Sequence, residues 1–259
     1  MNMRQLLAVL FFLLLGVASL GAQPFNRNQG SAPELKGKIY VLTCFVSETG
    51  WTATEAMHFE DMVLEAEEWL SAQARSYGQE VSFQNASVGI EEPLLMDHIG
   101  GYGSDDELVD RGERVMSLLS YRKGMKFVKW VKRHTDCTGC LMLVAANQDG
   151  RDYSLAYQNN FDKSKYFLEV SMLYTSCNGV PTSSSSIAHE MCHLFGAEDL
   201  YAVTEDMDGI EQLARESFPE DIMLSLSRNN IYERKIDRLT AWQVGLTDEI
   251  EFWYLDLIP

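Results

Sequence analysis

The run Ile187-Ala188-His189-Glu190-Met191-Cys192-His193-Leu194-Phe195-Gly196-Ala197-Glu198-Asp199 constrains this chain more than any other segment. Two histidines four residues apart share one face of a helix, with Cβ atoms roughly 5–6 Å apart. That spacing suits two imidazole nitrogens meeting one Zn2+ at about 2.0–2.1 Å. Glu190 is turned from His189 by roughly 100° around the helix. It is therefore placed to reach a water beside the metal rather than the metal itself. Gly196 gives the means of ending the helix, because glycine takes a positive φ cheaply and reverses the chain. The next residues can then swing back toward the histidines. Asp199 is predicted as the third ligand, with Glu198 as its competitor. Three protein ligands leave a fourth position open, as a catalytic zinc requires. With a carboxylate beside it, such a site reads as metal-assisted hydrolysis, most often of peptide bonds.

The pattern H-E-x-x-H-x-x-G-x-x-D resembles that of the metzincin clan of zinc metallopeptidases, in the Asp version of its snapalysin-like branch. Pro219-Glu220-Asp221-Ile222-Met223 looks like the clan's Met-turn, with Met223 as the methionine under the zinc. The resemblance covers most of 36–246, but only 187–199 and 219–223 are specific. It implies an α+β fold: a twisted five-stranded mixed sheet with two helices packed on it, an active-site helix, and a small C-terminal subdomain after the Gly turn. It implies an exported zinc-dependent endopeptidase, with Zn2+ held by His189, His193 and Asp199 and a zinc-bound water activated by Glu190. It also implies an antiparallel edge strand, here 151–158, that takes substrate backbone by strand addition. Tyr153, Leu155 and Tyr157 are then the candidate substrate-binding residues. Two features depart from the clan's commoner pattern. Ser225 stands where some members carry a zinc-binding tyrosine, and an aspartate replaces the usual third histidine. A carboxylate ligand lowers the net charge of the metal centre and leaves more work to Glu190.

Three other readings stay open at this point. One is a zinc-containing binding or adhesion protein with a vestigial site, against which the intact Glu190 argues. Another is a gluzincin-like peptidase drawing a later Glu ligand from Glu211 or Glu216. The third is a zinc amidohydrolase acting on cell-wall peptide, which would share every ligand.

The N-terminus reads as a targeting signal. Arg4 precedes an uncharged apolar run, Leu6 to Leu20, and Gly21-Ala22 offers small residues for cleavage. The expected division is a signal peptide over 1–22, a linker or short pro-segment over 23–36, and one catalytic domain over 37–259. No Cys follows the apolar run at lipobox position, so the expected protein is secreted or periplasmic, monomeric, and without a membrane span. A formal net charge of −17 argues against nucleic-acid binding. The expected partner is a protein or peptide substrate. In an oxidising compartment, Cys44, Cys137, Cys140, Cys177 and Cys192 would give two disulfides and one free thiol, with Cys137–Cys140 as a local bridge.

The remaining patterns place the elements. Residues 38–46 form a buried strand, apolar nearly throughout. Thr52 to Tyr77 forms a helix with Thr52 and Glu55 as a capping box and Gly78 as its stop. Phe59, Val63, Ala66, Leu70 and Ala74 make its apolar face. Strands follow over 81–88, 141–145, 153–157 and 166–173, with a helical region over 105–133 broken near Gly124. Thr182 to Ser186 caps the motif helix, and 237–244 forms a last short helix. Lys126, Lys129, Lys132 and Arg133 form a basic face on the second helical region. His58, His98 and His134 read as surface or satisfied core histidines. Glu205-Asp206-Met207-Asp208-Gly209 resembles part of a calcium loop, but no bidentate Glu follows at EF-hand spacing, so Ca2+ has no support.

Overall fold

Strand β1, Gly37–Ser47, is buried on both faces from Ile39 onward. In the computed structural model, which describes residues 30–100, 103–155, 165–201, 208–224 and 230–257, the architecture grows from this strand. Alternate side chains serve two separate apolar layers. Ile39, Val41 and Phe45 enter one; Tyr40, Leu42, Cys44 and Val46 enter the other. A strand with two apolar faces belongs inside a sheet covered on both sides.

The main sheet has the order β2-β1-β4-β6-β5, with β2 at Val81–Val88, β4 at Gly139–Asp149, β5 at Tyr153–Leu155 and β6 at Glu169–Cys177. All neighbours pair in parallel except β5, which runs antiparallel to β6 at the edge. Two short strands join outside this path: β3, Leu94–Leu95, on β1 and β7, Val180–Pro181, on β6. The fold is thus α+β around a mixed sheet of five main strands.

Helix α1, Ala53–Ser76, covers one face together with the motif helix α4, Ser184–Leu194. Both bonds of the Thr52–Glu55 capping box are present, and the predicted stripe of Phe59, Val63, Ala66, Leu70 and Ala74 is buried. Helices α2, Asp105–Leu118, and α3, Gly124–His134, cover the opposite face through Leu108, Val115, Met116, Phe127, Val128 and Val131. The predicted break near Gly124 is real, and the Glu113 carboxylate accepts the Gly124 N–H at 3.0 and 3.1 Å. The C-terminal part adds α5, Asp208–Ser217, a turn at Ile222–Leu224 and α6, Arg238–Gln243. Ile222, Leu239, Trp242 and Leu257 pack into the α1/α4 layer. Each large apolar side chain buried this way contributes roughly 1.5–3 kcal/mol.

Two expectations need correction. Residues 30–36 are not a spacer: Ala32 and Leu35 are buried in the core. Ser31 Oγ donates to Cys140 O at 2.6 Å, and the buried Glu169 carboxylate accepts Ala32 N–H at 3.2 Å. The polar composition of this stretch hid two apolar anchors. The disulfides are also absent: all five cysteines are free thiols. The Cys137–Cys140 segment does not turn back on itself, because Thr138 N–H bonds to Lys38 O and Gly139 already starts β4. Burial pushes the Cys140 thiol well above its ordinary pKa. The predicted signal over 1–22 lies outside the described residues. Among the described residues, no helix is long and apolar enough to cross a membrane.

Candidate metal centre

Helix α4 starts at Ser183, whose side chain accepts the Ser186 N–H at 3.2 Å. It is buried along nearly its whole length, packed beside α1 and against β5 and β6. It ends as the sequence requires. Gly196 has φ +96°, its N–H bonds to His193 O at 2.8 Å, and Ala197 N–H reaches Cys192 O at 3.1 Å. These two bonds make a Schellman cap. The cap carbonyl of Ala197 in turn meets His193 Nδ1 at 2.7 Å. The device that stops the helix therefore also orients the His193 ring.

The chain then returns, and it is Asp199 that supplies the oxygen between the imidazoles. Asp199 Oδ1 lies 3.2 Å from His189 Nε2 and 3.2 Å from His193 Nε2. The two Nε2 atoms are themselves 3.2 Å apart. Three ligand atoms at nearly this mutual distance, about 3.3 Å, are what a tetrahedral ion with bonds of about 2.0–2.1 Å demands. His189 Nδ1 meets Ile222 O at 3.0 Å. Carbonyls only accept, so both Nδ1 atoms carry hydrogen when the rings are neutral, and both Nε2 lone pairs turn to the centre. Asp199 Oδ1 is buried there with no hydrogen-bond donor. Two lone pairs and a carboxylate oxygen so close repel one another unless a cation sits among them. Two nitrogens and one oxygen suit zinc and do not suit calcium, which takes oxygens only.

The same crowding governs the protonation of the bare site. Burial alone would depress His193, but the Asp199 carboxylate outweighs it and pushes His193 up to about 9. Burial would raise Asp199, yet the two imidazoles hold its carboxyl well below the usual range. A positive charge at the centre is favoured, whether proton or metal.

Glu190 stands beside this trio, with one ligand atom each of His189, Glu190 and His193 within 4.8 Å of one another. Its carboxylate is held from another side. Ser154 Oγ donates to Glu190 Oε2 at 2.6 Å. Ser154 Oγ also lies 2.8 Å from Ser171 Oγ. Ser154 has one hydroxyl hydrogen, so its contacts to the Ser171 hydroxyl and to the Glu190 carboxylate compete for it. The two serines face each other across β5 and β6 in register. Ser171 is fully buried on an apolar face of the sheet, where this relay gives its hydroxyl a partner.

Met223 is fully buried in the predicted turn. Its carbonyl accepts Leu200 N–H at 2.8 Å, which ties the turn to the residue after Asp199. The buried Asp221 carboxylate fixes the turn by accepting Met223 N–H and Asp237 N–H at 2.7 Å and Thr240 Oγ1 at 2.9 Å. Tyr153 sits on the edge strand, but its side chain points to the opposite layer, where Arg111 Nη1 hydrogen-bonds its hydroxyl. Only its backbone stays beside Ser154 on the edge strand. Leu155 ends β5 and pairs with Val170. Tyr157, Ser225 and residues 205–207 of the calcium-like run lie outside the described residues. Glu211 pairs with Arg215 at 2.5 Å, and Glu216 accepts from Gln212 at 3.0 Å. Both stay on α5, so neither joins the trio.

Sequence reasoning missed Ser154, Ser171 and Tyr201. The Tyr201 ring centroid lies 6.3 Å from that of His189. Burial, then the nearby Asp199 carboxylate, raises its phenol pKa, which keeps it a hydrogen-bond donor. Its position two residues after Asp199 was the one available signal.

No family model matches the chain, and no curated protein matches it. Among solved structures it is similar to one titled "Structure of a chaperone-substrate complex", at 11% identity and a TM-score of 0.37. That match covers 66% of this chain and 25% of the other, so the chain spans about a quarter of that protein's length.

Proposed function

We propose that this chain is an exported zinc-dependent endopeptidase of metzincin type. The observation that carries the reading is the 3.2 Å triangle of His189 Nε2, His193 Nε2 and Asp199 Oδ1, with Glu190 beside it on the same helix. Bound there, zinc would supply Lewis acidity toward a substrate carbonyl and toward water. Glu190 accepts the proton from the attacking water and returns it to the leaving amine nitrogen. Ser154 holds one oxygen of Glu190, so the other is left to reach the water. Tyr201 offers a phenol hydrogen to the oxygen that gains charge as the carbonyl is attacked.

The peptide part of the reading rests on β5. It ends the main sheet, runs antiparallel, and carries Ser154 at the cleft. An extended substrate can pair with the outer edge of such a strand and present its scissile bond beside Glu190. The metzincin assignment rests on the Gly196 reversal, on Asp199, and on the buried turn at Met223.

The test is hydrolysis of a mixture of unfolded peptides by the zinc-loaded protein, beside Glu190→Ala and a chelated sample. Cleavage by the wild type alone is the expected result. Equal cleavage by Glu190→Ala would remove Glu190 from the mechanism. Silence from all three samples, with zinc bound, would favour a binding protein.

A further inference from the structure

The outer face of α3 has no role in the site, and it is electrically unlike the rest of the chain. Between Tyr121 and Thr135 the sequence holds Arg122, Lys123, Lys126, Lys129, Lys132 and Arg133, and no acidic residue. These are six of the 21 lysines and arginines in a chain of net charge −17. Lys123, Lys126, Lys129, Trp130 and Arg133 recur at helical spacing, opposite the buried Phe127, Val128 and Val131. Among the described residues none of the six pairs with a carboxylate, whereas Lys36, Lys38, Arg215, Lys235 and Arg238 all do. The nearest acids in sequence and contact are engaged elsewhere. Glu113 holds the Gly124 N–H, and Asp136 pairs with Lys38 at 2.6 Å.

Aromatic rings sit within this face. Trp130 is 38% exposed and lies flat, stacked between Phe127 and His134 at 6.1 and 5.0 Å. Lys129, Lys165 and Lys132 gather over the Tyr166 ring at 4.6, 5.4 and 5.9 Å. Unpaired like charges repel, so their concentration on one helix face is a cost that an anionic partner would relieve. Charges beyond roughly 8 Å are screened at physiological salt, so the patch acts locally despite the acidic whole.

We propose that the outer face of α3, from Arg122 to Arg133 with Lys165, docks the protein on a surface of anionic phospholipid headgroups. The exposed indole decides between occupants. A half-buried tryptophan amid lysines and arginines fits the headgroup layer, where indoles settle with one side apolar and one side wet. Helix α3 covers one face of the sheet and α4 the other. Docking by α3 would therefore leave the metal centre turned away from the surface.

The experiment is flotation of the full chain with vesicles of phosphatidylcholine alone, and with vesicles in which about a third is phosphatidylglycerol. Two charge-matched doubles are compared, Lys126→Glu with Arg133→Glu, and Arg75→Glu with Arg238→Glu. The expected result is binding to the phosphatidylglycerol vesicles only, weakened by salt. The α3 double should lose at least about tenfold in partitioning, and the control double less than about threefold. Equal binding to both vesicle types would assign the interaction to the apolar N-terminal run and overturn the proposal. So would equal losses in the two doubles, or no binding at all. Capture by a soluble sulfated polysaccharide without vesicle binding would overturn the lipid assignment. If the α3 double melts early, Lys126→Gln with Arg133→Gln serves in its place. Trp130→Ala should weaken vesicle binding without altering thermal stability by more than a degree or two.

Discussion

The two faces of the sheet are built from the same strands and do opposite things. On the α2/α3 side, Met142, Val144, Met172 and Tyr174 meet Leu108, Val115 and Val128 in a layer that is almost wholly apolar. On the α1/α4 side, Leu141, Leu143 and Leu173 share their layer with buried Ser171, His189, Glu190 and Asp221. Each of those polar groups has a named partner, because burial without one costs about 1–3 kcal/mol. One face gains stability by excluding water, and the other spends part of that stability to hold polar groups in place. The difference teaches where to look for chemistry in a doubly covered sheet: on the face where polar side chains are buried and bonded to one another.

Substitutions on the two faces should separate function from stability. Glu190→Gln keeps the shape of the motif face but removes the proton acceptor. Turnover should fall by about two to four orders of magnitude while zinc content is unchanged, as read by peptide hydrolysis and metal analysis. On the other face, Met172→Ala empties a fully buried position next to Ser171 in sequence. It should cost about 2–5 kcal/mol in denaturant unfolding and leave zinc affinity unchanged. A shift in zinc affinity would mean that the faces are coupled through β6, and the comparison would break.

The same contrast explains how much could be read in advance. Strand β2 runs over 81–88 as the pattern predicts, and β1 extends the predicted 38–46 by one residue at each end. The α1 cap and the Gly196 reversal were legible because each depends on residues within one turn. The convergence of His189, His193 and Asp199 was legible for the same reason, since eleven consecutive positions carry them. Contacts between distant segments were not legible. Ser154 and Ser171 are seventeen positions apart and meet only through the β5–β6 register. Ala32 and Leu35 sit in a polar stretch with no period, so nothing local marked them as core. The side chain of Tyr153 faces away from Glu190 because strands alternate, and a one-residue difference in phase decides which side chain meets Glu190.

Acidity offers a second way to sharpen the contrast, because a buried carboxyl of the α1/α4 side is out of its ordinary range. Burial pushes Glu67 up to about 7, only partly offset by the Asn85 amide at 2.7 Å. A carboxyl raised on folding stabilises the protein fully below its unfolded value, near 4.5. That contribution is lost as pH rises through about 7. Unfolding free energy should therefore fall between those limits by on the order of 2–3 kcal/mol from this group. Asp221, raised by burial to about 6, acts in the same direction. Glu67→Gln should flatten the slope in part, measured by urea unfolding across the range. An unchanged slope would place the effect elsewhere.

The smallest effect is the most discriminating. Ser154→Ala deletes one hydroxyl from the edge strand and leaves His189, His193 and Asp199 untouched. If Ser154 only positions Glu190, kcat should drop about tenfold, with KM and zinc affinity unchanged. Ser171→Ala should give a weaker copy of the same change, because it acts on Glu190 through Ser154. Ser154→Thr keeps the hydroxyl on a strand that tolerates β-branching, and should recover most of the loss. A rise in KM with kcat intact would mean that Ser154 touches substrate instead. Loss of zinc in Ser154→Ala would mean that β5 is part of the scaffold of the metal centre. The motif alone would then be too small a unit to hold the site.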